Sequence, residues 1–152
     1  MSGPIPFTDS WAMAEGELDG FPLVLRFRDR LKSILGHPRL PNRLHVIWVY
    51  DSEPVPGAHA MPSQELSDRM SELEDALTEA LEERSLAVLT SVATSGGRRE
   101  WTWYCADKET VQTAINDALA GSTVYPVRLR VSPDPTWSGY MSLLRDLGRD
   151  AA

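Results

Sequence analysis

What this 152-residue chain lacks narrows it first. It has one cysteine, Cys105. That excludes a disulfide framework and any cysteine-rich metal centre. Its three histidines, His37, His45 and His59, lie outside ordinary pair spacing of one another and of Cys105. A zinc site wants three or four ligands in local pairs, so neither a metal nor a cofactor is expected. Basic residues are outnumbered 15 to 22, for a net charge of -7. That argues against direct binding of nucleic acid, where affinity comes from neutralising phosphates. Apolar runs such as Phe21 to Leu25 and Val46 to Tyr50 fall far short of a membrane span. Met1 to Pro6 carries no Lys or Arg, and no signal-length apolar run follows. A soluble cytoplasmic protein without a membrane partner is the expectation.

Catalytic signatures are also missing. There is no Gly-x-Ser-x-Gly elbow, and Ser95-Gly96-Gly97 lacks the lysine and following helix of a phosphate loop. Cys105, at a strand end, suits a small core residue better than a reactive thiolate. Carboxylates abound, but sequence alone does not reveal a shifted pKa. No catalytic residue is assigned, and the chain is expected not to be an enzyme.

What is present is patterned. With 42% hydrophobic residues, a chain this long can bury roughly 70% of its unfolded surface. One domain over 11–148 is expected, with flexible ends at 1–10 and 149–152. Trp11 to Leu18 leads into Asp19-Gly20, a strong hairpin signal because both residues tolerate positive φ. Phe21, Leu23, Leu25 and Phe27 then alternate with Arg26 and Arg28 on the other face. Leu44 to Asp51 has the look of a central strand, and Pro54, Pro56 and Gly57 mark the loop after it.

Pro62 opens a long helix to about Arg84, with Leu66, Met70, Leu73, Leu77 and Leu81 on one stripe. Leu86 to Thr94 and Arg99 to Cys105 form a second hairpin around Gly96-Gly97. Asp107 is positioned to cap a second helix that Gly121 terminates. Val124 to Val131 is another strand. Asp134-Pro135 has the pattern of a cap followed by proline at the first helical position, opening a last helix through Leu147. From Leu44 onward the order is βαββαβ. The fold class expected is therefore α+β, a ferredoxin-like sandwich with an added N-terminal hairpin and a C-terminal helix covering an edge or end.

Several local signatures then fall into line. They are Trp11 before the Asp-Gly hairpin, the Gly57 to Pro62 loop before Leu73-Glu74-Asp75, and Trp103-Tyr104 after a glycine turn. The ending Asp134-Pro135-Thr136-Trp137-Ser138-Gly139-Tyr140 completes the set. Together, over about Trp11 to Leu147, they resemble the bacterial domain-of-unknown-function 695 family. The last motif also resembles one in the bacterial regulator of ribonuclease activity B group, small acidic proteins that inhibit an endoribonuclease by binding it. The resemblance implies the fold and, more remotely, a regulatory partner. It carries no activity and no site residue.

The acidic helix is the most informative feature. Between Pro62 and Arg84 there are eight carboxylates against two arginines, a net of -6. Asp68, Glu72, Asp75, Glu79 and Glu82 fall opposite the leucine stripe. Like charges three or four apart cost a helix a few tenths of a kcal/mol per pair. A solvated outer face accounts for the stripe; a face that docks a basic protein surface accounts for its one-sided charge as well. Between Arg26 and Arg43, six basic residues meet only Asp29. They can orient the protein on a partner, pair with the acidic helix, or drive self-association into a homo-oligomer. A second reading is a small-ligand pocket formed by the 52–61 loop with His59 and by Trp137 and Tyr140. Trp101 and Trp103 share one strand face, and exposed aromatics on such a sheet are the RNA-recognition arrangement. The Lys/Arg-Gly-aromatic signature is missing and the net charge is wrong, so core packing or a contact face for protein or an apolar ligand is expected.

Overall fold

The computed structural model describes residues 3–54, 61–121 and 124–149. Over the described residues it is an α+β protein with one six-stranded antiparallel sheet and three α-helices. β1 (Trp11–Leu18) and β2 (Phe21–Arg28) form the first hairpin. Its turn has Asp19 at φ 53° and Gly20 at φ 86°, the two positive values that match the twist of paired strands. After a 3₁₀ turn at Lys32–Ile34 come β3 (Asn42–Val49), α1 (Gln64–Leu81), β4 (Ala87–Ser95), β5 (Arg98–Cys105), α2 (Lys108–Leu119), β6 (Val127–Pro133) and α3 (Ser138–Asp146).

The strands lie in the order β1-β2-β4-β5-β3-β6. The hairpin therefore extends the sheet beyond β4, as expected, and β6 forms the opposite edge. One sheet face carries Leu44, Val46, Trp48, Leu89, Trp101 and Trp103 against Met70, Leu73, Leu77 and Leu81 of α1 and Val111, Ala114 and Ile115 of α2. Trp101 and Trp103 are wholly buried there. The stacking surface that RNA recognition requires is thus turned inward, under two helices.

The last helix corrects the sequence reading twice. It covers the second face of the sheet rather than an edge. Trp137, Tyr140 and Leu144 pack with Leu25, Phe27, Leu31, Leu40, Val88 and Tyr104 in a second core. The helix also begins at Ser138, four residues after Asp134. Trp137 sits at φ 59°, a left-handed conformation that breaks the helical path. Asp134 still caps the helix from a distance. Its Oδ1 accepts the Ser138 N–H (2.9 Å) and its Oδ2 accepts the Gly139 N–H (2.9 Å).

Two smaller features complete the fold. Ahead of β1, Ile5 and Phe7 pack into the second core, and the Ile5 N–H donates to Ser85 Oγ (2.9 Å). Gly121 does not take the left-handed C-terminal role, because α2 closes through Ala120.

Candidate interaction surface

α1 starts where Ser63 Oγ accepts the Leu66 N–H (3.2 Å), supplying one of the bonds a helix start lacks. Its buried stripe is Met70, Leu73, Leu77 and Leu81. Asp68, Glu72, Asp75 and Glu79 are exposed, as the wheel predicts. Gln64 donates to Asp68 (2.8 Å). None of the four carboxylates has an ion-pair partner among the described residues. Glu79 and Glu83 line two open depressions. One is shared with Asp75, Thr78 and Glu82; the other with Ala76, Ala80, Arg84 and Ala118.

Glu82 behaves differently from the other four. It closes the last turn with its N–H still bonded to the Thr78 carbonyl (2.9 Å), and on the flank of the stripe its side chain is long enough to reach the sheet. Its carboxylate turns in to Arg28, with Nη1–Oε2 at 2.5 Å and Nη2–Oε1 at 3.1 Å, and accepts the Leu89 N–H (2.8 Å). Glu74, which the sequence did not single out, is the other inward carboxylate. It accepts from Arg26 Nη2 (2.5 Å) and from the Trp101 indole N–H (2.9 Å). Part of the basic stretch thus pairs with the acidic helix inside the fold. The alternating arginines of β2 were the signal in the sequence, but their partners depended on which strand α1 crosses.

Arg28 is the centre of this clasp. It is nearly buried, donates to the Leu89 carbonyl (2.9 Å) and to Asp9 Oδ1 (3.0 Å), and lies 4.8 Å and 4.6 Å from the Phe7 and Trp11 ring centroids. Burial works against the Asp9 carboxylate, yet the hydrogen bond and charge of Arg28 hold its pKa below the ordinary value.

Of the pocket residues of the second reading, His59 lies outside the described residues. Trp137 and Tyr140 are fully buried and their polar atoms are satisfied. The Trp137 indole donates to the Leu40 carbonyl (3.0 Å), and the Tyr140 hydroxyl donates to the Arg28 carbonyl (2.7 Å). Trp137 stacks on Tyr104 at 4.3 Å and meets Tyr140 edge-on at 5.9 Å. These rings fill the second core rather than line an opening.

The remaining polar candidates are engaged locally. His37 Nδ1 accepts the Arg39 N–H (3.1 Å). His45 Nδ1 lies 2.8 Å from Glu100, and that hydrogen bond holds the Glu100 carboxyl below its usual range against the opposing effect of burial. Burial, with Asp107 nearby, pushes the Cys105 thiol up to about 12. Among the described residues, no three His, Cys, Asp or Glu side chains gather where they could hold a metal ion. Among the same residues, no helix is long and apolar enough to cross a membrane.

A family model described as a family of unknown function (DUF695) matches residues 9–145. The chain belongs to this family. No curated protein and no solved structure matches it. The closing motif within the matched span has structural work at five of its seven positions, Asp134, Trp137, Ser138, Gly139 and Tyr140. Asp134 caps α3 and accepts the Tyr104 hydroxyl (2.6 Å), Trp137 and Tyr140 pack the core, and Gly139 leaves room for Arg43. A Cβ at position 139 would lie 2.6 Å from the Arg43 guanidinium.

Proposed function

We propose that this protein is a non-catalytic regulatory module that holds a basic protein surface on the outer face of α1. The observation that carries the reading is the division of labour among the carboxylates. Glu74 and Glu82 neutralise the arginines of β2, while Asp68, Glu72, Asp75 and Glu79 face outward without cationic partners among the described residues. A face that only kept the protein in solution would need no such one-sided charge.

Spacing suggests the kind of partner. At 1.5 Å per residue, the four carboxylates fall about one per 5.5 Å along the helix. A nucleic-acid strand carries one charge per about 3.4 Å, less than twofold denser. The stripe thus suits a partner whose basic surface otherwise holds nucleic acid, in the manner of a nuclease inhibitor. Resemblance of the closing motif to the ribonuclease regulator group adds weight to a shared fold rather than to a shared partner, since that motif packs the core.

The architecture suits the role. We read β3 to β6 with α1 and α2 as a ferredoxin-like βαββαβ unit, supported by the strand order β4-β5-β3-β6 and by the two helices sharing one face. α1 is then a rigid outer element, its charges held by a core rather than by loops. The module is expected to act in the cytoplasm, with no cofactor.

The test is a titration of a fluorescein-labelled arginine–alanine dodecapeptide into the protein at rising salt. Binding should weaken steeply with salt, and Asp68→Lys/Glu72→Lys/Asp75→Lys/Glu79→Lys should abolish it. Affinity that survives both changes would rule out the α1 face as the site.

A further inference from the structure

We propose that the free edge of β6 and the cleft beside α2 form a docking site for an extended peptide whose side chains alternate between apolar and acidic. The surface lies apart from the α1 stripe, and the inference does not rest on the reading above.

The backbone comes first. Among the described residues, β6 ends the sheet and pairs only with β3. The Asp134 N–H donates to the Pro41 carbonyl (2.9 Å), one step beyond the register pair Asn42 and Pro133. Antiparallel bonding alternates along a strand. Arg128, Arg130 and Ser132 therefore turn their backbone groups toward β3, and Val127, Leu129 and Val131 turn theirs outward. The Val127 N–H is taken by the Tyr125 carbonyl (2.9 Å), and Pro133 has no N–H. Leu129 and Val131 are left presenting a donor and an acceptor each, in the two-residue rhythm that an added strand pairs with.

The side chains add specificity. Leu129 and Val131 join Leu44 and, from α2, Val111 and Ile115 around a cleft of about 140 Å³ that Lys108 and Gln112 also line. A cavity of roughly 150 Å³ accommodates benzene, so this one has room for a medium apolar side chain. Leu129 is 39% exposed at its mouth. The opposite face of β6 carries exposed Arg128 and Arg130. Glu100, in the same row as Arg128 across β3, is already committed to His45 (2.8 Å) and Arg98 (3.4 Å).

A strand added at β6 sets the residues opposite Leu129 and Val131 over the cleft, and the intervening ones beside the two arginines. Carboxylates there complement the arginines. Two β6 edges pairing with each other would instead set arginine against arginine, so the charge pattern favours a foreign acidic strand over that self-pairing.

The experiment titrates a fluorescein-labelled decapeptide of alternating valine and glutamate into the full chain, with a valine–serine decapeptide for comparison. Anisotropy should show the glutamate peptide binding about tenfold more tightly, the scale of two complementary charge pairs. Backbone amide resonances of Leu129 and Val131 should shift before all others. Leu129→Pro removes an outward N–H and no bond to β3, so it should abolish binding while circular dichroism stays unchanged. Arg128→Glu/Arg130→Glu should make a valine–lysine decapeptide the better ligand at the same amides. Equal affinity for the serine peptide, shifts centred elsewhere, or binding indifferent to the charge reversal would overturn the proposal. So would Leu129 and Val131 resonances that move with protein concentration alone, which would assign the edge to a second copy.

Discussion

Arg28 and Glu82, 54 residues apart, meet in a two-point ion pair whose side chains are only 5% and 9% exposed. The pair ties the end of α1 to β2 and sets the angle at which the acidic face leaves the sheet. Removing one partner of a buried pair strands the other charge, at a cost of about 3–5 kcal/mol. Asp9 still reaches Arg28, so Glu82→Ala should destabilise by about 3 kcal/mol. Glu79→Ala, on the exposed face, should change stability by less than about 0.5 kcal/mol. Urea denaturation of the two variants checks the contrast.

The outer carboxylates should work against the fold that carries them. Glu72 faces Asp68 at i-4 and Asp75 at i+3, and each like-charge pair costs about 0.2–0.5 kcal/mol. Glu72→Lys turns both pairs attractive. It should stabilise the free protein by roughly 0.5–1 kcal/mol while weakening capture of a basic ligand. A gain of stability without loss of binding would make the stripe a solvated face.

Asp134 links α3 to the sheet, and its carboxyl makes the link pH-dependent. Although burial acts in the other direction, bonds from Tyr104, Gly139 and Ser138 lower its pKa from 3.8 to about 2. A depressed pKa gives stability that is complete above about pH 4 and is lost as the pH falls through 2. The group is half-buried, and solvent screening leaves this contribution on the order of 1 kcal/mol. Asp134→Ala also strands the buried Tyr104 hydroxyl, so it should cost about 2–3 kcal/mol at pH 7. Its acid unfolding curve should be flatter than that of the unmodified protein between pH 4 and 2.

Cys105 is a test of the core. It is wholly buried, and its thiol is held at about 12. At pH 8 it should not react with a thiol reagent in the native state, and labelling should follow global unfolding. Rapid labelling of the folded protein would contradict the packing of β5 against α2.

Much of this arrangement is legible in the residues themselves. Leu73, Leu77 and Leu81 announce α1 because helical period and burial agree there. Asp19-Gly20 announces the hairpin because its backbone angles exclude most other pairs. The misreadings share a cause in long-range contacts. Asp134-Pro135 has the local pattern of a helix start, but stacking on Tyr104 puts Trp137 in a left-handed conformation and delays α3 to Ser138. Glu82 belongs to the acidic face on a helical wheel and keeps helical angles, but a buried arginine from another strand claims its carboxylate. The outward carboxylates were visible from spacing alone, because among the described residues no cation pairs with them.

The central claim is that the outer face of α1 recognises a partner by its charge pattern and not through the chain's net charge. The most direct test is affinity purification and mass spectrometry with three baits. One is the unmodified protein, the second carries Asp68→Lys/Glu72→Lys/Asp75→Lys/Glu79→Lys, and the third carries Glu15→Lys/Glu17→Lys/Glu53→Lys/Asp146→Lys. The two variants change net charge equally, at exposed positions on different surfaces. A basic protein retained by the first and third baits and lost from the second is the predicted result. The same proteins on all three baits, or lost equally from both variants, would contradict it.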